Sequence, residues 1–142
     1  MELKEFIKRS LKGENLPRFI IGTVNDSLSI AIKKKTGLNV LGYKIAIDSY
    51  DLRHIINSHG DKLKEAKRGQ ISVLPSDFIL IPDIVKHSDI IFKSKDKTKS
   101  HNRNAIYFIK QYENEYWVIE QVIEPNKTIT IKTMYIKKNL LP

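Results

Sequence analysis

The chain has 142 residues, with 25 Lys and Arg against 16 Asp and Glu, and a formal net charge of +9. This length suits one core, so we expect a single domain over residues 1–142. The 41% hydrophobic content, with no long apolar run, excludes both a disordered chain and a membrane-spanning one, and we expect a cytoplasmic protein. The absence of cysteine excludes disulfides, a thiolate nucleophile and a Cys-based zinc site.

The positive excess favours a polyanionic partner, because contacts to phosphates release counterions and attract nucleic acid from a distance. A second explanation stays open. Codon usage in AT-rich genomes enriches Lys, Ile and Asn, and this sequence shows that bias as well.

The first half of the chain reads as helices separated by short extended segments. Residues 1–12 form an amphipathic pattern rather than the apolar block of a signal peptide. Capping residues and glycines then delimit the next elements. We expect a β-like segment at 19–24, a helix at 28–35 ended by Gly37, a strand at 43–47, and a helix from Asp48 or Ser49 to His59 followed by Gly60.

The second half begins with short helices and then becomes strand-like. We expect a charged helical turn at 61–67 and two short helices within 75–86, broken at Pro82. Beyond Asp89 the apolar residues alternate, which predicts strands at 90–93, 104–112, 116–124 and 128–136. The fold class is therefore α+β, with a helical N-terminal part packed on a four-stranded antiparallel sheet.

One apolar face of this sheet is expected to lie beneath the helices. Alternation places Trp117, Ile119 and Ile123 on one face of their strand. In the last strand it places Thr133 on the same face as Ile129 and Ile131. Thr133 is therefore a candidate site residue that could meet the end of the central helix.

The helix that ends at His59 carries the most specific local signal. His54 and His59 are about 140° apart around the helix, so they point to different sides and cannot form a zinc pair there. His59 shares the apolar side with Leu52, Ile55 and Ile56, where it meets the negative end of the helix dipole and can transfer protons. The alternative is a half-buried histidine that only caps the helix.

The segment 93–103 is the second signal, because it holds five cations and one acid between two strands. It can bind phosphates, although it can equally be a solvated hairpin loop with no binding role. Arg103, where the segment re-enters the sheet, can offer a fork of donors to one phosphate. The candidate nucleic-acid-binding residues are Lys93, Lys95, Lys97, Lys99 and His101.

Polar side chains inside the strands are the third signal. Most of them are expected to lie on the solvent-exposed face of the sheet. Glu120 and the strand tyrosines are weaker site candidates than Thr133. Lys110 is a further candidate for neutralising phosphate charge.

These segments resemble phage-associated nuclease domains of the superfamily that groups barnase, EndoU, colicin-type and RelE-like ribonucleases. The resemblance rests on residues 51–60, 68–70, 81–83, 88–91 and 132–135, and it covers roughly 41–138, with 1–40 as an elaboration. It implies a helical part, an antiparallel sheet and an active site between them. Members are typically toxins or phage effectors that cut RNA, often tRNA, without a metal or another cofactor.

Carried over to this sequence, the resemblance implies His59 as the helix histidine with His54 as its companion, Arg103 as the basic position and Thr133 as the hydroxyl position. The expected activity is metal-independent RNA cleavage by acid–base transesterification, in which Arg103 and Lys110 neutralise the phosphorane. The expected partners are RNA, with tRNA as one candidate, and an acidic immunity or antitoxin protein.

Two other functions remain open on the sequence alone. One is a non-catalytic nucleic-acid-binding or virion-associated module, whose binding would fall with salt but would not need His59. The other is an interaction protein whose basic segment docks an acidic partner.

Overall fold

The computed structural model describes residues 1–99 and 101–139. Helices occupy most of the first half and the expected short segments of the second. They are α1 (Leu3–Leu11), α2 (Asp26–Thr36), α3 (Ser49–His59), α4 (Lys62–Lys67) and α5 (Ile81–Lys86), with 3₁₀ turns at Pro75–Leu80 and Glu124–Asn126.

Strands in the described residues form one mixed sheet of seven members. They are β1 (Phe19–Thr23), β2 (Lys44–Ile47), β3 (Gln70–Ile71), β4 (Ile90–Lys93), β5 (Ala105–Gln111), β6 (Glu115–Ile123) and β7 (Thr128–Lys137). The order is β1-β2-β7-β6-β5-β4, and β3 pairs with the far end of β7. All neighbours are antiparallel except β2 and β7, which run parallel.

The expected α+β class and the four strands after Asp89 are confirmed, and the last three do form a meander. The predicted size of the sheet was wrong, because the sheet has seven strands and not four. The strands at 19–23 and 44–47 join it through β7, which lies more than 80 residues away along the chain. Local alternation cannot reveal such a distant pairing.

A β-bulge in β7 reverses the face on which Thr133 lies. Ile119 pairs with Thr133 while the adjacent Glu120 pairs with Ile131, so Lys132 is an extra residue in β7. Thr133 therefore lies on the face opposite Ile131, and the expectation that these two share a face was wrong.

The helices also cover a different face of β6 from the one expected. The core joins buried side chains of α1, α2, α3 and α5 to Val118 and Val122 of β6 and to Ile131 and Met134 of β7. Trp117 and Ile119 lie on the other face. Both faces of β6 are apolar, so the sequence pattern alone could not show which face the helices cover.

Helix ends follow the local sequence. Asn25 accepts a hydrogen bond from the Leu28 amide at the start of α2, and Gly37 ends that helix in the left-handed conformation, with φ 77°. No helix in the described ranges is long and apolar enough to cross a membrane.

Glu120 is an ionisable side chain buried within this core. It is fully buried between Ile106 and Ile131, and neither carboxyl oxygen finds a hydrogen-bond partner among the residues that the structure describes. Burial raises the pKa of this carboxyl to about 8. The folded protein therefore holds Glu120 protonated at neutral pH.

We predict that Glu120 makes the protein less stable as pH rises from about 4.5 to 8. In that window the Glu120 carboxyl ionises in the unfolded chain but stays protonated in the folded one, so the unfolded state gains stability. At about 1.4 kcal/mol per pKa unit the loss is on the order of 4 kcal/mol. Urea unfolding at pH 5 and pH 8 should show this loss in the wild type and a much smaller one in Glu120→Gln.

The exposed Glu124, at the end of the same strand, supplies the control. Glu124→Gln should keep the wild-type pH dependence. Equal slopes in wild type and Glu120→Gln would contradict the prediction.

Candidate active site

The turn between α3 and α4 places a histidine and a carboxylate side by side. Leu52 and Ile55 are buried and hold α3 on the core, so its last residue, His59, lies at the edge of β7. The Asp61 side chain then accepts hydrogen bonds from the Leu63 and Lys64 amides and starts α4. One turn of α4 brings Glu65 back towards His59.

His59, Glu65 and Arg68 form a chain of charge-assisted hydrogen bonds. His59 Nδ1 lies 3.1 Å from Glu65 Oε2, and Arg68 Nη1 lies 2.7 Å from Glu65 Oε1. Glu65 is fully buried, whereas 16% of the His59 side chain is exposed. A carboxylate only accepts, so the contact places a proton on Nδ1 and leaves Nε2 as the nitrogen available to a substrate.

Further contacts hold this group in place. Arg68 Nη1 also donates to the Ser58 carbonyl at 2.9 Å, and the Val73 amide donates to the His59 carbonyl at 2.8 Å. Gly60 follows α3 as expected, but its φ of −91° is not left-handed. A Cβ there would stand 2.4 Å from the Ile56 carbonyl oxygen, so glycine is needed for close approach.

Tyr135 connects His59 to the sheet. Its ring centroid is 5.7 Å from that of His59, and it projects from the face of β7 that the helix core leaves uncovered. Burial, followed by the nearby Tyr107 and Glu115, raises the pKa of Tyr135 to about 12. Its hydroxyl therefore stays protonated at neutral pH and can donate a hydrogen bond to a phosphate oxygen.

Thr133 lies on the same face of β7 and lines a cavity of about 520 Å³. Lys132, Tyr107 and the loop lysines Lys97 and Lys99 line it as well. The structure thus brings two of the expected nucleic-acid-binding lysines to the expected hydroxyl residue. Thr133 and His59 both border this side of the sheet, with Tyr135 beside His59.

The segment between β4 and β5 closes on itself around the buried Thr98. The Thr98 amide donates to the Arg103 carbonyl, and the Thr98 hydroxyl accepts from the Arg103 amide. Arg103 lines a separate cavity of about 330 Å³ with Lys97, His101 and Glu124. As far as the described residues define these two cavities, His59 lines neither.

The remaining expected site residues lie elsewhere. His54 is exposed and stacks on Tyr50, on the outer side of α3. Lys110 lies on the helix-covered side of the sheet, where its Nζ donates to the His87 carbonyl. Lys93 and Lys95 are exposed near the end of β4. None of the four has a described contact with His59.

Sequence reasoning did not select Glu65 and Arg68 as site residues. Their i, i+3 spacing on a short charged helix resembles an ordinary surface pair. Only the Gly60–Asp61 turn, which folds α4 back on α3, makes Glu65 a partner of His59. In residues 1–99 and 101–139 no three His, Asp or Glu side chains are grouped so that they could hold a metal ion.

The fold and site define a class of α+β protein with a histidine–carboxylate pair beside an uncovered sheet face. Residues 22–140 match a family model described as phage-Barnase-EndoU-ColicinE5/D-RelE like nuclease 3. The chain belongs to this nuclease family, which confirms the resemblance seen in the sequence. Neither a curated protein nor a solved structure matches the chain.

We predict that Glu65→Gln loosens His59 and destabilises the fold. An amide keeps the shape but loses the charge, and its NH₂ group would face either Arg68 or the Nδ1 proton. The free energy of unfolding should fall by about 1 to 3 kcal/mol in urea titrations. Imidazole ¹⁵N spectra should show His59 losing its preference for the Nδ1–H tautomer.

The matched control is Glu14→Gln, since Glu14 pairs with Arg9 in an exposed Glu–Arg bridge. It should change stability little and leave the His59 spectrum as it is. An unchanged tautomer in Glu65→Gln would show that Glu65 does not orient the ring.

Proposed function

We propose that the protein is a metal-independent endoribonuclease, acting as a phage or toxin effector, and that His59 transfers the proton during cleavage. The single observation that carries the proposal is the His59–Glu65 contact, which holds the His59 ring beside Tyr135 of the uncovered face. Membership in a nuclease family supports it. The RNA substrate, with tRNA as one candidate, is part of the proposal.

In this mechanism the 2′-hydroxyl of the RNA attacks the adjacent phosphorus. Its proton passes to His59 Nε2, the bond from phosphorus to the 5′-oxygen breaks, and the leaving oxygen takes up a proton. One ring can serve both steps, because the proton that it removes is the proton that the leaving group needs. The products are a 2′,3′-cyclic phosphate and a 5′-hydroxyl.

Glu65 supports both states of the ring. It accepts from Nδ1 in the neutral form, and its charge stabilises the imidazolium that forms when Nε2 takes the proton. Because Arg68 binds the other carboxylate oxygen, Glu65 stays in place as the ring changes charge.

Negative charge on the phosphorane needs donors on the same side of the sheet. The Tyr135 hydroxyl, Thr133 and Lys132 are the nearest candidates on β7, and Lys97 and Lys99 approach them from the loop. Arg103 remains a candidate for binding a neighbouring phosphate from its own cavity. The position of Lys110, bonded to the His87 carbonyl, favours a structural role for it.

The first test is cleavage of total tRNA and of a single-stranded RNA in EDTA. Wild type should cut in EDTA and leave cyclic-phosphate ends, and His59→Ala should cut about 10²- to 10⁴-fold more slowly while keeping its circular dichroism spectrum. His54→Ala is the matched control. It removes an exposed histidine from the same helix and should keep wild-type activity.

The outcomes separate the parts of the proposal. Activity that is lost in EDTA and restored by Mg²⁺ would show that cleavage needs a metal ion. Cutting of an all-deoxy strand would contradict attack by the 2′-hydroxyl. Intact RNA at high protein concentration, with binding retained, would favour a binding module instead.

The second test concerns the cationic loop. Each phosphate contact to single-stranded RNA contributes roughly 0.7 to the slope of log affinity against log salt. Lys97→Ala with Lys99→Ala should therefore weaken RNA binding and reduce that slope by up to roughly 1.4. Lys33→Ala with Lys34→Ala, exposed on α2, changes the net charge equally and should alter the slope less. Equal effects of the two pairs would show that binding follows overall charge only.

A further inference from the structure

Four aromatic side chains form a continuous ribbon across the sheet face opposite the helix core. Phe92 comes from β4, Tyr107 from β5, Trp117 from β6 and Tyr135 from β7, so each strand contributes one ring. Phe92 and Tyr107 stack with centroids 4.5 Å apart, and Trp117 stacks on Tyr135 at 5.4 Å. Trp117 meets both Phe92 and Tyr107 edge-on at 6.0 Å.

The ribbon has an exposed outer end and an inner end at the candidate active site. Phe92, on the edge strand, is 36% exposed, with one ring face against Tyr107. Tyr135 lies at the inner end, 5.7 Å from the His59 ring. A chain laid along these rings from Phe92 would therefore reach the imidazole.

Sheet packing alone does not account for these side chains. The helix core takes its residues from the other face of β5, β6 and β7. Cross-strand aromatic pairs do stabilise a sheet, but an exposed Phe has no polar atom that water can solvate. The exposed apolar area at Phe92 is connected to the candidate site through the other three rings, and such an area is typical of a surface that binds a ligand.

Lysines border the ribbon on both sides, and the Glu115 carboxylate accepts a hydrogen bond from Trp117 Nε1 at 2.7 Å. Lys137 Nζ lies 4.1 Å from the centroid of the Trp117 ring and 5.8 Å from that of Tyr135. Lys132 and the loop lysines Lys97 and Lys99 line the cavity that includes Tyr107. Aromatic rings flanked by ammonium groups are complementary to a strand in which bases and phosphates alternate.

We propose that this ribbon binds unpaired bases by stacking and makes the protein select single-stranded RNA, with Phe92 as the outermost base-binding residue. The inference rests on the proposed function, because it names the form of RNA that the same site takes. In a duplex each base face is covered by its neighbours, so a paired strand offers the rings nothing to stack on.

The chain contains a single tryptophan, Trp117, so its fluorescence reports on the ribbon directly. The probe is a 2′-O-methyl oligonucleotide, which has no free 2′-hydroxyl and cannot be cut by the proposed mechanism. The single strand should quench Trp117 emission in a saturable manner. The same sequence in a duplex, and inorganic polyphosphate as a polyanion without bases, should leave the emission nearly unchanged.

Phe92→Ala should weaken binding of the single strand by roughly 5- to 150-fold, the range expected for loss of one stacked base. Phe92→Leu retains apolar volume and should weaken binding in the same direction, even if the alanine variant folds poorly. The matched control is Tyr50→Ala, which removes a 67% exposed ring from α3 and should bind as tightly as wild type.

Equal quenching by duplex or polyphosphate, or wild-type affinity in both Phe92 variants, would overturn the inference. A Trp117 emission that changes with protein concentration alone, together with dimers in sedimentation, would also overturn it, because a second copy would then cover the rings.

Cleavage assays separate this failure from that of the ribonuclease proposal. Quenching as expected with uncut RNA would leave the ribbon standing and the ribonuclease wrong. If Phe92 variants cleave RNA and also bind it as tightly as wild type, the ribonuclease proposal would be kept and the ribbon inference would be wrong.

Discussion

A buried carboxylate between a histidine and an arginine is the constraint on which the candidate site depends. Glu65 is fully buried, and among the residues that the structure describes its carboxylate is paired with His59 and Arg68. These two bonds fix the angle between α3 and α4 and the orientation of the imidazole at once. The same interaction therefore serves the fold and the proposed chemistry, because a ring that could rotate freely would present Nε2 to the sheet only part of the time.

Local patterns in the sequence account for most of the secondary structure. Capping residues such as Asn25 and the glycine at 37 delimit α2, and alternation after Asp89 defines the four strands of the second half. Such local patterns could not predict which distant strands pair with each other. The parallel contact of β2 with β7 joins segments that share no local signal, and β3 is a two-residue strand that exists only because β7 lies beside it.

Only those parts of the candidate site that have a local sequence signal could be predicted. His59 could be selected because its helix has a clear apolar side, and the cationic loop because its composition is unusual. Glu65 could not, since its role depends on a turn. Thr133 was selected for a wrong reason, because one extra residue at Lys132 reverses the alternation. The bulge places Thr133 on the face where the rings and loop lysines lie, and regular alternation would have turned it towards the helices.

The position of β7 in the sheet has a consequence for the order of assembly. β7 pairs with β2, β3 and β6, yet the ribosome makes it after all of them. A nascent chain that has not yet released this strand lacks Tyr135 beside the imidazole, and its β1–β2 pair is not joined to the rest of the sheet. The seven-stranded sheet and the candidate site therefore cannot be complete before β7 leaves the exit tunnel. Any activity of the candidate site can therefore begin only after β7 has been translated and has joined the sheet.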